Sequence, residues 1–504
     1  MNYIFFIGGS GARAYTAFLH ACAAGVIRAD QVRVMLLDAD AQNAACDNSI
    51  KLFRTYQKHR QMLQRIQPSG TAFHCDIQML QESAISPVQD DTSNLAQVAG
   101  GNDTRKRALK WFYTQKELDQ DLSKGFYAHP NIGCVFFQGF NGNPYLNRCM
   151  KKIISDLKNG LETRIIIVGS VFGGTGAAGI PSVIKILKER CAAEAQLSFS
   201  QLRCCGVLIT PYFKVAQAPD SNELTINSDN FYGTTKAALP YYRFMDDFEK
   251  TYLVGQTTLE TVNNQYADGG EDQNNKPHII EIFSALAIKD FLEDTSGEKQ
   301  CLGQFVDRSN IHEQIDWEFL GEDMYNLADM IRAQMVLETA IYPCAAARFG
   351  RGGGYQWRWV YHADSASSQQ QLGLMQEYGK SFFEWLHQLQ RQYIGVSGNM
   401  CADPKIKLYN PEILDDLWNR VEVRRNSGFG LDDPKYGAQG SWRKYQEDFT
   451  NLIETAEKIE YVVKKISVLL SALGVLHKPI ATLNCAGLFL KLFSLSGHTP
   501  IEKS

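Results

Sequence analysis

The sequence predicts an α/β fold with a mainly parallel sheet, and two observations carry the prediction. Short apolar runs alternate with helical patterns from residue 1 to about 250. Two glycine-rich turns each follow an apolar run and precede a helical pattern. Strands joined through helices in this way lie parallel, with helices on both faces of the sheet. The strands expected are Ile4–Ile7, Val32–Leu37, Val135–Phe137, Ile165–Val168 and Gly206–Ile209.

The first turn is Gly8-Gly9-Ser10-Gly11-Ala12-Arg13-Ala14, between the run Tyr3–Ile7 and a helical pattern through Ala24. Gly9, Gly11 and Ala14 fit G-x-G-x-x-A, a fingerprint of dinucleotide-binding folds. The next strand ends on Asp38 and Asp40. Such acids can hold a ribose hydroxyl, orient Mg²⁺ or its waters, or simply cap a helix. The second turn, Val168 to Gly179, contains Gly173-Gly174-Thr175-Gly176 and leads into an apolar-periodic segment, Ile180–Leu187. A strand, a glycine turn and a helix together present free backbone N–H groups to an anion. Thr175 adds a hydroxyl. The lysine of G-x-x-x-x-G-K-[ST] is absent from this second turn, so it is not a Walker loop.

The order of these segments resembles the tubulin/FtsZ superfamily. Gly8–Ala14 stands where that family has its first glycine loop. Asp38-Ala39-Asp40-Ala41-Gln42-Asn43 is similar to the N-T-D-A-Q segment of FtsZ, and Ala99–Arg107 to its G-A-G-G-N-P-E-V-G-R loop. Phe172–Gly179 with Pro181 and Val183-Ile184 resembles G-G-G-T-G-(T/S)-G and the following helix. Cys205–Phe213 resembles the G-V-V-T-K-P-F strand. The resemblance implies a Rossmann-like, tubulin/FtsZ-type GTPase domain that holds GTP or GDP with Mg²⁺. Gly9, Ser10, Gly11 and Ala12 would face the α- and β-phosphates, with Gly173, Gly174, Thr175 and Gly176 opposite. Gly100, Gly101 and Asn102 would close over a γ-phosphate, with Arg105, Lys106 and Arg107 nearby. Asn227 or Asn230 would bind guanine and Glu223 the ribose, with Phe231 or Tyr232 available to stack. The chain departs from the family in having one glycine fewer before Thr175, and Ala177-Ala178 after Gly176. It also lacks a clean N-x-D-x-x-D loop. Asp268, Glu271, Asp272 and Glu281 are acids available for water activation, and none is assigned as catalytic. The resemblance further implies self-association into oligomers or filaments, with GTP hydrolysed at subunit junctions.

Composition narrows the alternatives. With 504 residues and 44% hydrophobic content the chain can build two or three cores. A net charge of −4 gives no electrostatic footprint for nucleic acid, and no such partner is expected. The twelve cysteines form no C-x-x-C and no zinc spacing. They read as reduced core residues of a cytoplasmic protein, with Cys204 and Cys205 on opposite faces of one strand. Met1–Ile7 lacks a basic leader and reads as a first strand rather than a signal peptide. No run of about 18 apolar residues marks a transmembrane helix.

Three regions are expected: a nucleotide-binding domain over 1–250, a smaller α/β domain over 251–348, and a mainly helical region over 349–504. Asp76–Asp103 reads as a polar loop, and Lys106–Leu122 as one helix with Trp111, Leu118 and Leu122 near one face. Asn230–Phe248 reads as a helix, Thr251–Gly255 as a strand and Asn263–Lys276 as a loop. Pro277 then opens a helix, His278–Leu292. Asp323–Tyr342, Leu372–Ile394 and Pro411–Val421 are further helical patterns, and Phe349–Tyr355 is a hinge. Phe449 to Leu473 repeats at heptad spacing but with a stripe too broad for a strict seam, so it packs on this chain's own core or pairs with a partner protein. Ile480–Leu495 packs inside, or docks on a partner or membrane surface.

Two other functions fit parts of this pattern. Gly9, Gly11, Ala14 and Asp38 suit an NAD-dependent Rossmann oxidoreductase, which leaves the second turn unexplained. A missing catalytic loop suits a non-catalytic nucleotide-sensing scaffold. In the nucleotide readings, Gly174→Val is expected to abolish binding and spare the fold.

Overall fold

The computed structural model describes residues 1–40, 42–66, 72–88, 93–100, 102–194, 197–215, 226–244, 247–257, 259–261, 270–272, 275–307, 314–336, 366–390, 393–394 and 400–410. The first half runs β1 (Asn2–Ile7), α1 (Gly8–Ala23), β2 (Gln31–Leu37), α2 (Ala44–Ile66), β3 (Asp76–Met79), α3 (Leu95–Val98), α4 (Asp103–Phe112), α5 (Gln115–Asp119), α6 (Pro130–Gly139) and α7 (Pro144–Lys158). It continues through β4 (Arg164–Ser170), α8 (Gly174–Ala192), β5 (Arg203–Ile209), β6 (Phe213–Lys214), α9 (Phe231–Phe244), β7 (Lys250–Gln256), β8 (Glu260–Thr261), α10 (Ile279–Glu293) and β9 (Gln300–Val306). Then come α11 (Trp317–Leu320), α12 (Tyr325–Val336), α13 (Ala366–Gln390), β10 (Tyr393–Ile394) and β11 (Met400–Cys401).

Seven strands form one parallel sheet in the order β3-β2-β1-β4-β5-β7-β9. β1 is central, with Phe5 opposite Met35 on one side and Ile167 on the other. Its residues are almost all apolar because both faces are covered. Ile4 and Phe6 enter the core built with α1, α2, α10, α12 and α13. Tyr3, Phe5 and Ile7 enter the opposite core, built with α6, α7 and α8. Cys205 and Cys204 likewise divide between the two cores, as strand alternation requires.

The strand order reverses between β1 and β4. α1 leaves β1 onto one face, and α8 leaves β4 onto the other. The two helices therefore diverge from neighbouring starts and open a crevice at the carboxyl ends of the strands, the place where open α/β sheets take ligands.

Several sequence expectations change. Val135–Phe137 belongs to helix α6, not to a strand. A short apolar run has no decisive period, and here Pro130 at the first helical turn favours the helix. Gly133 brings that helix close to α8, where a Cβ would lie 2.8 Å from the Cβ of Ala178. The loop expected over Asp76–Asp103 contains β3 and α3. The single helix over Lys106–Leu122 is two, because Thr114 caps a new helix, α5. Leu118 and Leu122 are buried, but Trp111 is 84% exposed. The helix expected from Asn230 starts at Phe231 and ends at Phe244, and the helix expected to reach Ile394 ends at Gln390. Residue 250, expected to end the first domain, lies within the sheet, which β7 and β9 continue. Cys134 and Cys301 are exposed, and Cys22, Cys46, Cys75, Cys149, Cys191, Cys204 and Cys205 are buried. Phe349–Tyr355, Pro411–Val421 and the patterns over Phe449–Leu473 and Ile480–Leu495 lie outside the described residues.

Helix α8 holds Pro181 in its interior. Proline cannot donate to the carbonyl four residues earlier. The Tyr242 hydroxyl donates to that carbonyl, of Ala177, at 2.8 Å. Among the described residues no helix is long and apolar enough to cross a membrane.

Candidate functional site

The two glycine turns meet in the crevice. Gly8 has φ +75°, a conformation suited to glycine, and a Cβ there would lie 3.4 Å from the Gly176 nitrogen. Helix α1 begins directly at Gly8 and α8 at Gly174. Neither start has a side-chain cap, and neither first turn contains an acid. Two sets of backbone N–H groups, each at the positive end of a helix dipole, are thus left for an anion between them. They border a cavity of about 120 Å³ that is also lined by Ser10, Arg13, Asp38, Asp40, Asn43 and Lys124.

Asp38 and Asp40 follow the end of β2 and are 3% and 4% exposed. Burial, then the neighbouring Asp40 charge, pushes the Asp38 carboxyl up to about 7, although bonds from the Asp40 amide, Cys46 and Thr175 oppose the shift. Asp40 is also raised by burial, against bonds from the amides of Gly270 and Gln42 and the charge of Lys124. Its Oδ2 accepts from Gly270 N at 2.5 Å. Two buried carboxylates that resist ionisation would be relieved by a cation. No cluster of three or more His, Cys, Asp or Glu is set to hold a metal among the described residues. The pair suits Mg²⁺ of the kind that completes its shell with water and phosphate oxygens.

Beneath the first turn lies a buried polar network. Arg13 Nε donates to Glu281 Oε1 at 2.8 Å, and its Nη2 to the Tyr212 hydroxyl at 2.7 Å and to Ser10 Oγ at 3.2 Å. Tyr212 also donates to Glu281, at 3.2 Å. Burial works against the Arg13 charge, but Tyr212 and Glu281 outweigh it and hold the guanidinium protonated. Burial raises the Glu281 carboxyl while Arg13 draws it down. Glu281 is the reciprocal partner of His278 in the capping box that opens α10. The first turn of α1 is thereby fixed to the start of α10. Glu281 is 1% exposed and committed to Arg13, so it does not supply a base to bulk water.

One wall of the cavity is aromatic. Phe172, Phe213 and Phe231 line it, with ring centroids 4.8–6.2 Å apart. Val215, Ile226 and Asn275 lie on the same lining. The cavity therefore joins a phosphate-seeking region to a region of flat apolar rings.

Of the residues expected from sequence, Gly9, Ser10, Asp38, Asp40, Gly173, Gly174, Thr175 and Gly176 line this cavity. Gly11 and Ala12 are packed within the fold. A Cβ at Gly11 would lie 3.0 Å from Phe6 C and 3.1 Å from Val168 O, and Ala12 is fully buried in the core. Gly100 and Asn102 are exposed and off the lining, and Asn102 caps α4 through bonds from the Thr104 and Arg105 amides. Asn227 and Asn230 line a neighbouring groove of about 1260 Å³ between α6, α8 and α9, and Asn227 accepts from the Asp229 amide. Gly101, Glu223 and Asp268 lie outside the described residues.

Arg13, Asn43, Lys124, Phe213 and Asn275 line the cavity without having been expected there. Arg13 was legible as part of the first turn. Lys124 and Asn275 had no motif to announce them. Gly174→Val does not spare the fold: a Cβ there would lie 2.6 Å from the Phe126 Cβ and 3.1 Å from two backbone atoms. Comparison with models of known protein families finds no match, and comparison with curated protein sequences finds none either.

Proposed function

We propose that this protein binds a nucleoside di- or triphosphate with Mg²⁺ at the crevice between β1 and β4. The observation that carries the reading is the convergence of two uncapped helix starts, α1 at Gly8 and α8 at Gly174, beside the buried pair Asp38 and Asp40. The polyphosphate lies between the turns, receiving N–H bonds from Gly9, Ser10 and Gly174 to Gly176. Lys124 provides the charge that a Walker lysine supplies elsewhere. Asp38 and Asp40 hold Mg²⁺ or its waters. The base rests against Phe213 and Phe231, with Asn275 offering the amide that reads its edge. Guanine is preferred on the strength of the tubulin/FtsZ resemblance, which also supports assembly into filaments.

Titration calorimetry with GTP, ATP and NAD⁺ in Mg²⁺ tests this. Selective GTP binding is the expected result; binding of NAD⁺ without GTP would overturn it. The NAD⁺ reading has the weaker geometric support. Asp38 bonds to Thr175 of the second turn, whereas a ribose-binding acid of a Rossmann enzyme serves the adenosine half of the cofactor.

On turnover, the commitment of Glu281 to Arg13 favours a slow or non-catalytic nucleotide sensor over a self-sufficient GTPase. Phosphate release measured against protein concentration separates the two. A rate that rises more steeply than linearly indicates a second copy completing the site, and a flat, near-zero rate indicates a sensor.

A further inference from the structure

Helix α4 stands apart from the rest of the fold. None of its ten residues is buried. It carries Arg105, Lys106, Arg107 and Lys110 against the single acid Asp103. Among the described residues no ion pair engages those four cations. Trp111 is 84% and Phe112 77% exposed, the two most exposed large hydrophobic side chains among the described residues. Only Leu109 leans on the core. At helical spacing Ala108, Leu109, Trp111 and Phe112 share one side, with Arg105 beside Phe112, and Lys106, Arg107 and Lys110 form the other.

A helix needed only for stability would turn its aromatic side inward. A solvated helix would not carry adjacent Trp and Phe. A basic face opposite a Trp- and Phe-bearing face is the composition of helices that lie in the boundary of an anionic bilayer. There the rings enter the headgroup region and the cations meet lipid phosphate and carboxylate. On the same side of the sheet, α7 exposes Tyr145 (44%), with the Arg148 guanidinium 5.6 Å from its ring centroid.

We propose that α4 docks this protein on an anionic lipid surface, with Trp111 and Phe112 as the inserted residues. The proposal is independent of the nucleotide reading. The partner chemistry is set by charge complementarity, four cations without an ion pair among the described residues, around an exposed aromatic pair.

The test is co-sedimentation of the full chain with vesicles of phosphatidylcholine alone, and of phosphatidylcholine and phosphatidylserine in equal parts. The expected result is pelleting with the mixed vesicles only, lost as salt is raised. The Trp111→Ala, Phe112→Ala double variant is expected to bind at least about tenfold more weakly, and Lys110→Gln about fivefold. Thermal unfolding of both variants should match the parent chain, because neither change removes a buried contact. Equal binding to neutral vesicles, or unchanged binding by the double variant, overturns the proposal. So does a shift of the double variant to a smaller species without vesicles, which would make this face a contact between copies of the chain.

Discussion

The two glycine turns look alike in sequence and do different work. At the first, a Cβ on Gly9 would meet only the amide end of Asn43, at 3.2 Å, and one Arg13 nitrogen at 3.9 Å. At the second, a Cβ on Gly176 would lie 2.4 Å from the Ser170 carbonyl oxygen and 2.8 Å from its nitrogen. Gly174 is pressed against Phe126 in the same way. At Gly9 the first turn keeps open space that a ligand can use, although its Gly11 has backbone behind it. The second is small because backbone lies behind it. A glycine-rich motif can therefore record ligand access, close packing or both, and only the neighbours decide which.

The largest expected effect tests what holds the first turn in place. Arg13→Met leaves Glu281 and Tyr212 buried without their cation, which should cost about 3–5 kcal/mol. Chemical denaturation measures it, and a loss under about 1 kcal/mol would mean the network is not structural. Gly176→Ala forces a methyl group onto backbone and should cost about 3 kcal/mol, or prevent soluble expression. Near-parental stability would erase the distinction between the turns.

Asp38→Asn sharpens the comparison from the side of charge. The folded protein holds the Asp38 proton up to about pH 7, while an ordinary carboxyl releases it near 3.8. The native state thus binds the extra proton between those values. Ligand-free stability should fall as pH rises through that window. The variant should flatten this fall and weaken Mg²⁺-dependent nucleotide binding by about tenfold or more, on the order of 1.4 kcal/mol. Denaturation midpoints at acidic and mildly basic pH check the first part and calorimetry the second. An unchanged slope would remove Asp38 from the account. The smallest stability effect belongs to Gly9→Ala, within about 1 kcal/mol because the Asn43 side chain can move aside. Its cost should appear in nucleotide affinity, about tenfold. Normal affinity in this variant would move the phosphates away from the first turn.

Much of the core architecture was legible locally. β1, β2, β4 and β5 are apolar runs whose burial on both faces leaves no ambiguity, and each glycine turn sits at a strand end. Val135–Phe137 misled because three apolar residues cannot distinguish a strand from a buried helical turn. Trp111 misled because an apolar residue in a helix is ordinarily a core residue. The turn side of the crevice was legible through Gly9, Ser10, Asp38, Gly173 and Thr175, since each belongs to a turn or a strand end and each lines the cavity. Asn275 and Lys124 were not. They reach the crevice from segments distant in sequence, with no periodicity or motif to mark them. Asn227 and Asn230 were the plausible asparagines by proximity to a helix start, but the turn that precedes α9 places both on the groove beside α6 and α8.

The sequence by itself determined that strands and helices alternate and where two helix starts lack side-chain caps. These are local consequences of apolar runs and glycine. Only the tertiary structure decided that β1 and β4 lie side by side, so that the two starts share one crevice. Only it could bury Asp38 and Asp40 together, and place Glu281 against Arg13, 268 residues away along the chain. Apolar periodicity specifies which residues are buried. Which buried charges meet depends on strand order, because long-range contacts are fixed by how the whole sheet closes its two cores.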